Sequence, residues 1–88
     1  MKKMKFSGRE IAVLRAIDFS TGSLGADIIE RTHIQADEVA DIINGLMEIG
    51  YIETSPPSPR VEAFSLFETQ IEVNPSYAHD LKAALIRK

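Results

Sequence analysis

The most distinctive chemistry in this sequence lies in the acidic side chains of its middle third. Residues 32–59 contain no Lys or Arg but hold the carboxylates Asp37, Glu38, Asp41, Glu48 and Glu53. Any one of Asp37, Glu38 and Asp41 is explained by a solvated helix start, where negative charge favours the positive end of the helix dipole. The absence of cations across the whole block is not explained in this way. An acidic surface of this kind favours a basic partner.

The basic residues that could contact phosphate lie elsewhere. Lys2, Lys3, Lys5 and Arg9 are close to the N-terminus, and Arg60 follows a proline-rich stretch. A lysine-rich start is more often a solvated, mobile terminus than a binding arm. The net charge of −3 and the pI near 5.3 argue against a general nucleic-acid binder, because such proteins usually carry a basic surface.

No catalytic or metal-binding motif is present in the sequence. There is no cysteine, His33 and His79 lie far apart, and no glycine-rich phosphate loop occurs. We therefore expect a non-catalytic protein with no cofactor and no metal site. The basic start is not followed by the apolar stretch of a signal peptide or of a membrane span, so we also expect a cytoplasmic protein.

The length of 88 residues and the 44% hydrophobic content predict one domain, residues 1–88, around one core. A first helix is expected from Gly8 to Phe19, opened by the capping box of Ser7 and Glu10. Ser23 is the expected N-cap of a short second helix that ends near His33.

A third helix is predicted from Ala36 to Ile49, with Gly50 in the C′ position. Its apolar face consists of Val39, Ile42, Ile43, Leu46 and Met47. Gly45 lies inside this helix at a cost of about 1 kcal/mol relative to alanine, which suggests close backbone approach to another helix or to a ligand.

The second half of the chain is predicted to contain strands and a final helix. A strand at residues 51–54 is followed by a loop at 55–59, where three prolines exclude helix. Alternating residues predict strand from Val61 to Val73, with a bend near 65–67. Asn74 and Pro75 then open a last helix that runs to Lys88. The expected core comprises Phe6, Ile11, Leu14, Ile17, Leu24, Ile28, Val39, Ile43, Leu46, Ile52, Ile71 and Val73.

This order of elements resembles the winged helix-turn-helix superfamily. The match is closest from Ile34 to Glu53, where the third helix ends and the strand begins with Leu46-Met47-Glu48-Ile49-Gly50-Tyr51-Ile52-Glu53. Leu24-Gly25-Ala26-Asp27-Ile28-Ile29 is similar to PadR-like and MarR-like bacterial regulators. The resemblance implies an α+β fold with a three-helix core, a β-wing and a C-terminal helix. It implies little about function, because winged helices also serve as protein-interaction modules.

In the DNA-binding members of this superfamily, exposed residues of the third helix enter the major groove. The matching positions here are Asp37, Glu38, Asp41, Ile42, Asn44 and Gly45. Their carboxylates would be repelled by DNA, which carries about one negative charge per 1.7 Å of axis.

Two interpretations follow. The one we favour is a protein-interaction or adaptor module in a regulatory context, whose third helix meets a partner that is expected to be basic. The alternative is a DNA-binding transcriptional regulator that contacts phosphate through Lys2, Lys3, Lys5, Arg9 and Arg60. On the last helix, the stripe of Tyr77, Leu81, Ala84 and Leu85 either closes the core or forms the seam of a homodimer, as the terminal helix often does in the regulators that this chain resembles.

Overall fold

The computed structural model describes residues 6–86, so Lys2, Lys3 and Lys5 lie outside the described part. The elements follow in the order α1 (Gly8–Ala16), β1 (Ser23–Leu24), α2 (Gly25–Thr32), α3 (Ala36–Ile49), β2 (Ile52–Ser55), α4 (Ala63–Leu66), β3 (Gln70–Val73) and α5 (Pro75–Ile86). The strands form one antiparallel sheet in the order β1-β3-β2. This arrangement confirms the predicted α+β class.

Helix α1 begins as predicted but ends earlier. The Ser7 hydroxyl accepts a hydrogen bond from the Glu10 N–H (3.2 Å), and the Glu10 carboxylate accepts one from the Ser7 N–H (2.8 Å). The predicted end at Phe19 is wrong, because the backbone becomes extended at Ile17. The Asp18 carboxylate then accepts hydrogen bonds from the Ser20 and Thr21 N–H groups of a turn, and such local bonding competes with helix continuation.

Ser23 does not cap α2, which corrects a second expectation. It lies in β1 and is buried, and its hydroxyl accepts hydrogen bonds from the Asp18 N–H (3.0 Å) and from Arg31 Nη1 (3.3 Å). Leu24 occupies the N-cap position without a side-chain hydrogen bond. Ser23 therefore ties the end of α1 to α2 instead of starting a helix.

Helix α3 has the predicted bounds, and Gly50 ends it in the left-handed conformation (φ 102°). That conformation is open to glycine at no steric cost. The Asn74 side chain donates to the Gly50 carbonyl (2.9 Å), and the Asn74 N–H donates to the Tyr51 carbonyl (2.9 Å). The start of α5 is thereby fixed to the end of α3.

The predicted strand from Val61 to Val73 is confirmed only at Gln70–Val73 and is wrong over residues 61–69. Ser55 pairs with Gln70 across the sheet, so residues 56–69, the β2–β3 connection, lie outside the strands. Within it, α4 packs against α3, and Val61 and Leu66 are buried. A short run of alternating apolar and polar residues does not distinguish a strand from a helix when its apolar positions also fit one helical turn.

The core of the described residues is continuous and contains most of the predicted side chains. The predicted residues that are buried are Leu14, Ile17, Ile28, Val39, Ile43, Leu46, Ile52, Ile71 and Val73. Phe6 and Ile11 are only partly buried against this core. Leu24 was expected inside but is 41% exposed. On α5, Leu81 and Leu85 are buried, so its apolar stripe closes the core of this chain.

Gly25 is a point of very close backbone approach. A Cβ at this position would collide with the carbonyl oxygen of Leu66 in the β2–β3 connection. The Gly25 N–H also donates to the Thr69 carbonyl (2.9 Å). A side chain at Gly25 would therefore push the connection away from α2.

Replacing Gly25 with alanine should lower the free energy of unfolding by about 2–3 kcal/mol, because the added methyl group overpacks a backbone contact. Urea denaturation measures this change. The control is Gly45→Ala, since a Cβ at Gly45 meets no atom within 4 Å. This control should raise the stability by about 1 kcal/mol. Equal effects of the two substitutions would contradict the close approach at Gly25.

The Asp18 carboxyl should have a pKa below its ordinary value of 3.8, because the Ser20 and Thr21 N–H groups donate hydrogen bonds to the charged form. A group whose pKa is lowered by folding stabilises the protein fully above its unfolded pKa and loses this effect as the pH falls through the folded pKa. Carboxyl chemical shifts followed by NMR would give the midpoint. As the pH falls through the pKa of Asp18, the parent protein should lose more of its free energy of unfolding than the Asp18→Asn variant. A midpoint at or above 3.8 would contradict this account.

Candidate interaction surface

An open groove of about 800 Å³ lies between α3 and the segment that runs from β2 into the proline-rich loop. We call it the acidic groove, because Asp41 and Glu48 of α3 line one side and Glu53 of β2 lines the other. Pro57, Ser58, Pro59 and Arg60 complete the loop side of the groove. Three carboxylates thus share one concave surface with a single arginine among its lining residues.

Gly45 faces this groove and not a neighbouring helix. It is exposed, and a Cβ built on it would meet no atom within 4 Å. The expected close approach to another helix of the same chain is therefore absent at Gly45. The missing side chain widens the acidic groove at the centre of α3.

The Asn44 side chain forms its hydrogen bonds with the β2–β3 connection. Its Oδ1 accepts a hydrogen bond from the Val61 N–H (2.7 Å), and its Nδ2 donates to the Val61 carbonyl (2.9 Å). These bonds satisfy both backbone groups of a residue that is 3% exposed. Asn44 therefore holds the connection against α3, and its amide is already engaged within the chain.

The remaining predicted residues of α3 lie apart from the groove. Asp37 is exposed, and its carboxylate accepts a hydrogen bond from the Glu38 N–H (2.9 Å). Glu38 forms an ion pair with Arg9 of α1. Ile42 is half-buried and packs against the core. Of the predicted α3 residues, the structure brings Asp41, Asn44 and Gly45 to the acidic groove, while Asp37, Glu38 and Ile42 are not among its lining residues.

Two of the five cations proposed to contact phosphate lie in residues 6–86, and both are paired with carboxylates. Arg9 pairs with Glu38, and Arg60 Nε lies 3.4 Å from a carboxylate oxygen of Glu62. These ion pairs are exposed and therefore weak, with strengths of about 0–1 kcal/mol. They nevertheless reduce the positive charge that either arginine presents.

The other three cationic side chains of residues 6–86 form contacts with groups of the same chain. Arg15 donates to the Leu85 carbonyl (2.6 Å), and Arg31 donates to the Ala16 carbonyl (2.7 Å). The Lys82 ammonium lies 5.8 Å from the centre of the Phe19 ring, within range of a cation–π contact. In residues 6–86, five Lys and Arg stand against thirteen Asp and Glu. The other five of the ten Lys and Arg lie outside these residues, and the net charge of the full chain is −3.

The described residues offer little for other chemistry. No cluster of three or more His, Asp and Glu side chains suited to a metal ion occurs between Phe6 and Ile86. No helix in this part of the chain is long and apolar enough to cross a membrane. His33 ends α2 in the left-handed conformation (φ 60°), and His79 is exposed on α5.

Comparison with known proteins supports the fold. No protein-family model matches the sequence, and no curated protein matches it significantly. The crystal structure of the multiple antibiotic-resistance repressor MarR from Listeria monocytogenes is similar, with a TM-score of 0.69 and 18% sequence identity. The match covers 91% of this chain and 51% of the repressor chain, so this chain spans about half the length of that protein. The chain has a winged-helix fold of the MarR type.

The groove adds residues that were not predicted as part of a site. Glu48 and Glu53 were recognised only as members of the acidic block, and Pro57 and Pro59 only as a loop tip. The absence of cations over residues 32–59 was the available sign, because it includes both sides of the groove. That α3 and the segment after β2 line one groove is not visible in the sequence.

Replacing Asn44 with alanine should lower the free energy of unfolding by about 2–4 kcal/mol, because the buried N–H and C=O of Val61 would both lose their partner. Thermal or urea denaturation measures the loss. Asp41→Ala is the matched control on the same helix, and as an exposed change it should stay within about 0.5 kcal/mol of the parent. If the two variants were equally stable, Asn44 would not hold the connection.

Proposed function

We propose that this chain is a non-catalytic winged-helix domain that works in a regulatory context by binding a basic segment of a protein partner. The observation that carries this proposal is the acidic groove beside α3, with Asp41, Glu48 and Glu53 among its lining residues. Its one lining cation, Arg60, is already paired with Glu62.

Charge and hydrogen bonding both support a partner that carries arginine or lysine. A carboxylate accepts two parallel hydrogen bonds from a guanidinium group, which is stronger and more directional than a neutral hydrogen bond. The groove is open along one side, and Gly45 leaves room at its centre. An extended basic peptide could therefore place successive cationic side chains against Asp41, Glu48 and Glu53.

The same charges disfavour α3 as a reader of DNA. Affinity for DNA comes largely from neutralising phosphates with Lys and Arg, and α3 contains neither residue. Residues 56–69 also fold back onto α3, where Asn44 holds Val61. An approaching phosphate backbone would meet the carboxylates of the groove and the docked connection.

A labelled peptide of about ten residues rich in arginine should bind this protein at about 50 mM salt and show weaker binding as the salt rises. The variant Asp41→Asn with Glu48→Gln should weaken binding by about tenfold, because it removes two exposed charge pairs that contribute up to about 1 kcal/mol each. Fluorescence polarisation measures the dissociation constant.

The matched control is Glu30→Gln with Asp80→Asn, which removes the same two charges from exposed positions on α2 and α5. This control should change the affinity much less than the groove variant. Equal weakening by the two variants would mean that the peptide follows net charge alone and would contradict a site in the acidic groove.

DNA binding is the second candidate function, favoured by the structural likeness to the MarR repressor. The contacts would come from Lys2, Lys3 and Lys5 together with Arg9 and Arg60. Titration of labelled random duplex at about 20–50 mM and at about 200 mM salt separates this candidate from the first. Binding that falls steeply with salt would support it, whereas no binding at low salt would remove it.

A further inference from the structure

Helix α4 exposes two aromatic side chains to solvent. Phe64 is 82% exposed and Phe67, directly after the helix, is 46% exposed. Glu62 precedes this pair and Glu68 follows it, and both glutamates are exposed. We call Phe64 and Phe67 the aromatic knob. Exposed apolar groups rimmed by charge are typical of interaction surfaces, because burying each ring removes about 150–250 Å² from water.

A second groove, on other elements of the same chain, has complementary chemistry. It lies between the end of α1 and the end of α5, has a volume of about 330 Å³, and is lined by Arg15, Ile17, Phe19, Lys82, Leu85 and Ile86. Four of these residues are apolar and two are cationic. Ile86 is 77% exposed, so apolar surface at the end of α5 remains open to a partner.

The knob and the α1–α5 groove match in size and in charge. The groove is open to solvent, and its volume of about 330 Å³ exceeds that of an enclosed apolar cavity that holds a benzene ring, about 150 Å³. The knob is followed by Glu68, whereas the groove is lined by an arginine and a lysine. Opposite charges around an apolar contact favour the correct orientation of two partners.

We propose that copies of this chain associate head to tail, with the aromatic knob of one copy in the α1–α5 groove of the next, so that each pair leaves one knob and one groove free for a further copy. The partner is a second copy because both halves of the contact are present on one chain. The knob and the groove lie on different pairs of packed helices: α4 packs against α3, and α1 packs against α5. A contact of this kind joins two different surfaces, in contrast to a seam formed by two α5 helices. The acidic groove is not part of the contact.

Sedimentation velocity and light scattering test the association from about micromolar to about millimolar protein, because a contact of this size forms a weak complex. Phe64→Ser with Phe67→Ser removes the knob and leaves the α1–α5 groove intact. Ile86→Glu alters the groove and leaves the knob intact. All three side chains are exposed, so the variants should melt like the parent protein. Each variant alone should associate at least about tenfold more weakly than the parent.

Mixing the two variants provides the decisive comparison. The Ile86→Glu protein supplies a knob and the double Phe variant supplies a groove, so the mixture should form a one-to-one complex that neither variant forms alone. Glu68→Lys and Lys82→Glu should each weaken the association alone and should associate when mixed, because each variant reverses one charge of the contact. Ile49→Ser removes an apolar side chain that is 59% exposed and lies outside both surfaces, and it should leave the association unchanged.

Three results would overturn the proposal. The parent protein could remain monomeric at the highest concentration. The double Phe variant could associate as well as the parent, which would assign the contact to another surface such as paired α5 helices. The mixture of the two variants could remain monomeric even though the parent associates. None of these results bears on peptide binding by the acidic groove, so the two proposals fail separately.

Discussion

The return of residues 56–69 onto the helices determines much of this structure. Two contacts hold this connection: Gly25 admits the backbone of Leu66, and Asn44 binds both backbone groups of Val61. Val61 and Leu66 can then enter the core, and α4 lies on α3. The wall of the acidic groove and the exposure of Phe64 both follow from this single arrangement. A longer projecting hairpin would have produced neither.

Features governed by near neighbours in the chain could be predicted from the sequence. The capping box of Ser7 and Glu10 and the end of α3 at Gly50 depend on residues within one or two turns, and both predictions were confirmed. The predictions for Ser23 and for residues 61–66 were wrong because long-range contacts decide them. Ser23 binds groups on two other elements, and Leu66 is placed by its contact with Gly25.

The candidate site shows the same division. The acidic character of residues 32–59 is visible in the sequence, and it gives the sign of the charge on α3. The shape of the site is not visible, because Asp41 and Glu53 line one groove only after β2 has paired with β3 and the loop has returned. The sequence shows that Gly45 destabilises the helix relative to alanine, but only the folded chain shows that Gly45 borders open space.

Helix α3 both holds the β2–β3 connection and lines the acidic groove, and this has a consequence for engineering. Asn44 fastens the connection from the same helix whose other residues, Asp41 and Glu48, shape the outward surface. The groove carboxylates and the residue that holds the connection therefore lie about one helical turn apart on α3. Replacing α3 with a basic helix from a DNA-binding winged-helix protein would remove Asn44 along with the carboxylates. A functional graft must carry a compatible loop with its helix.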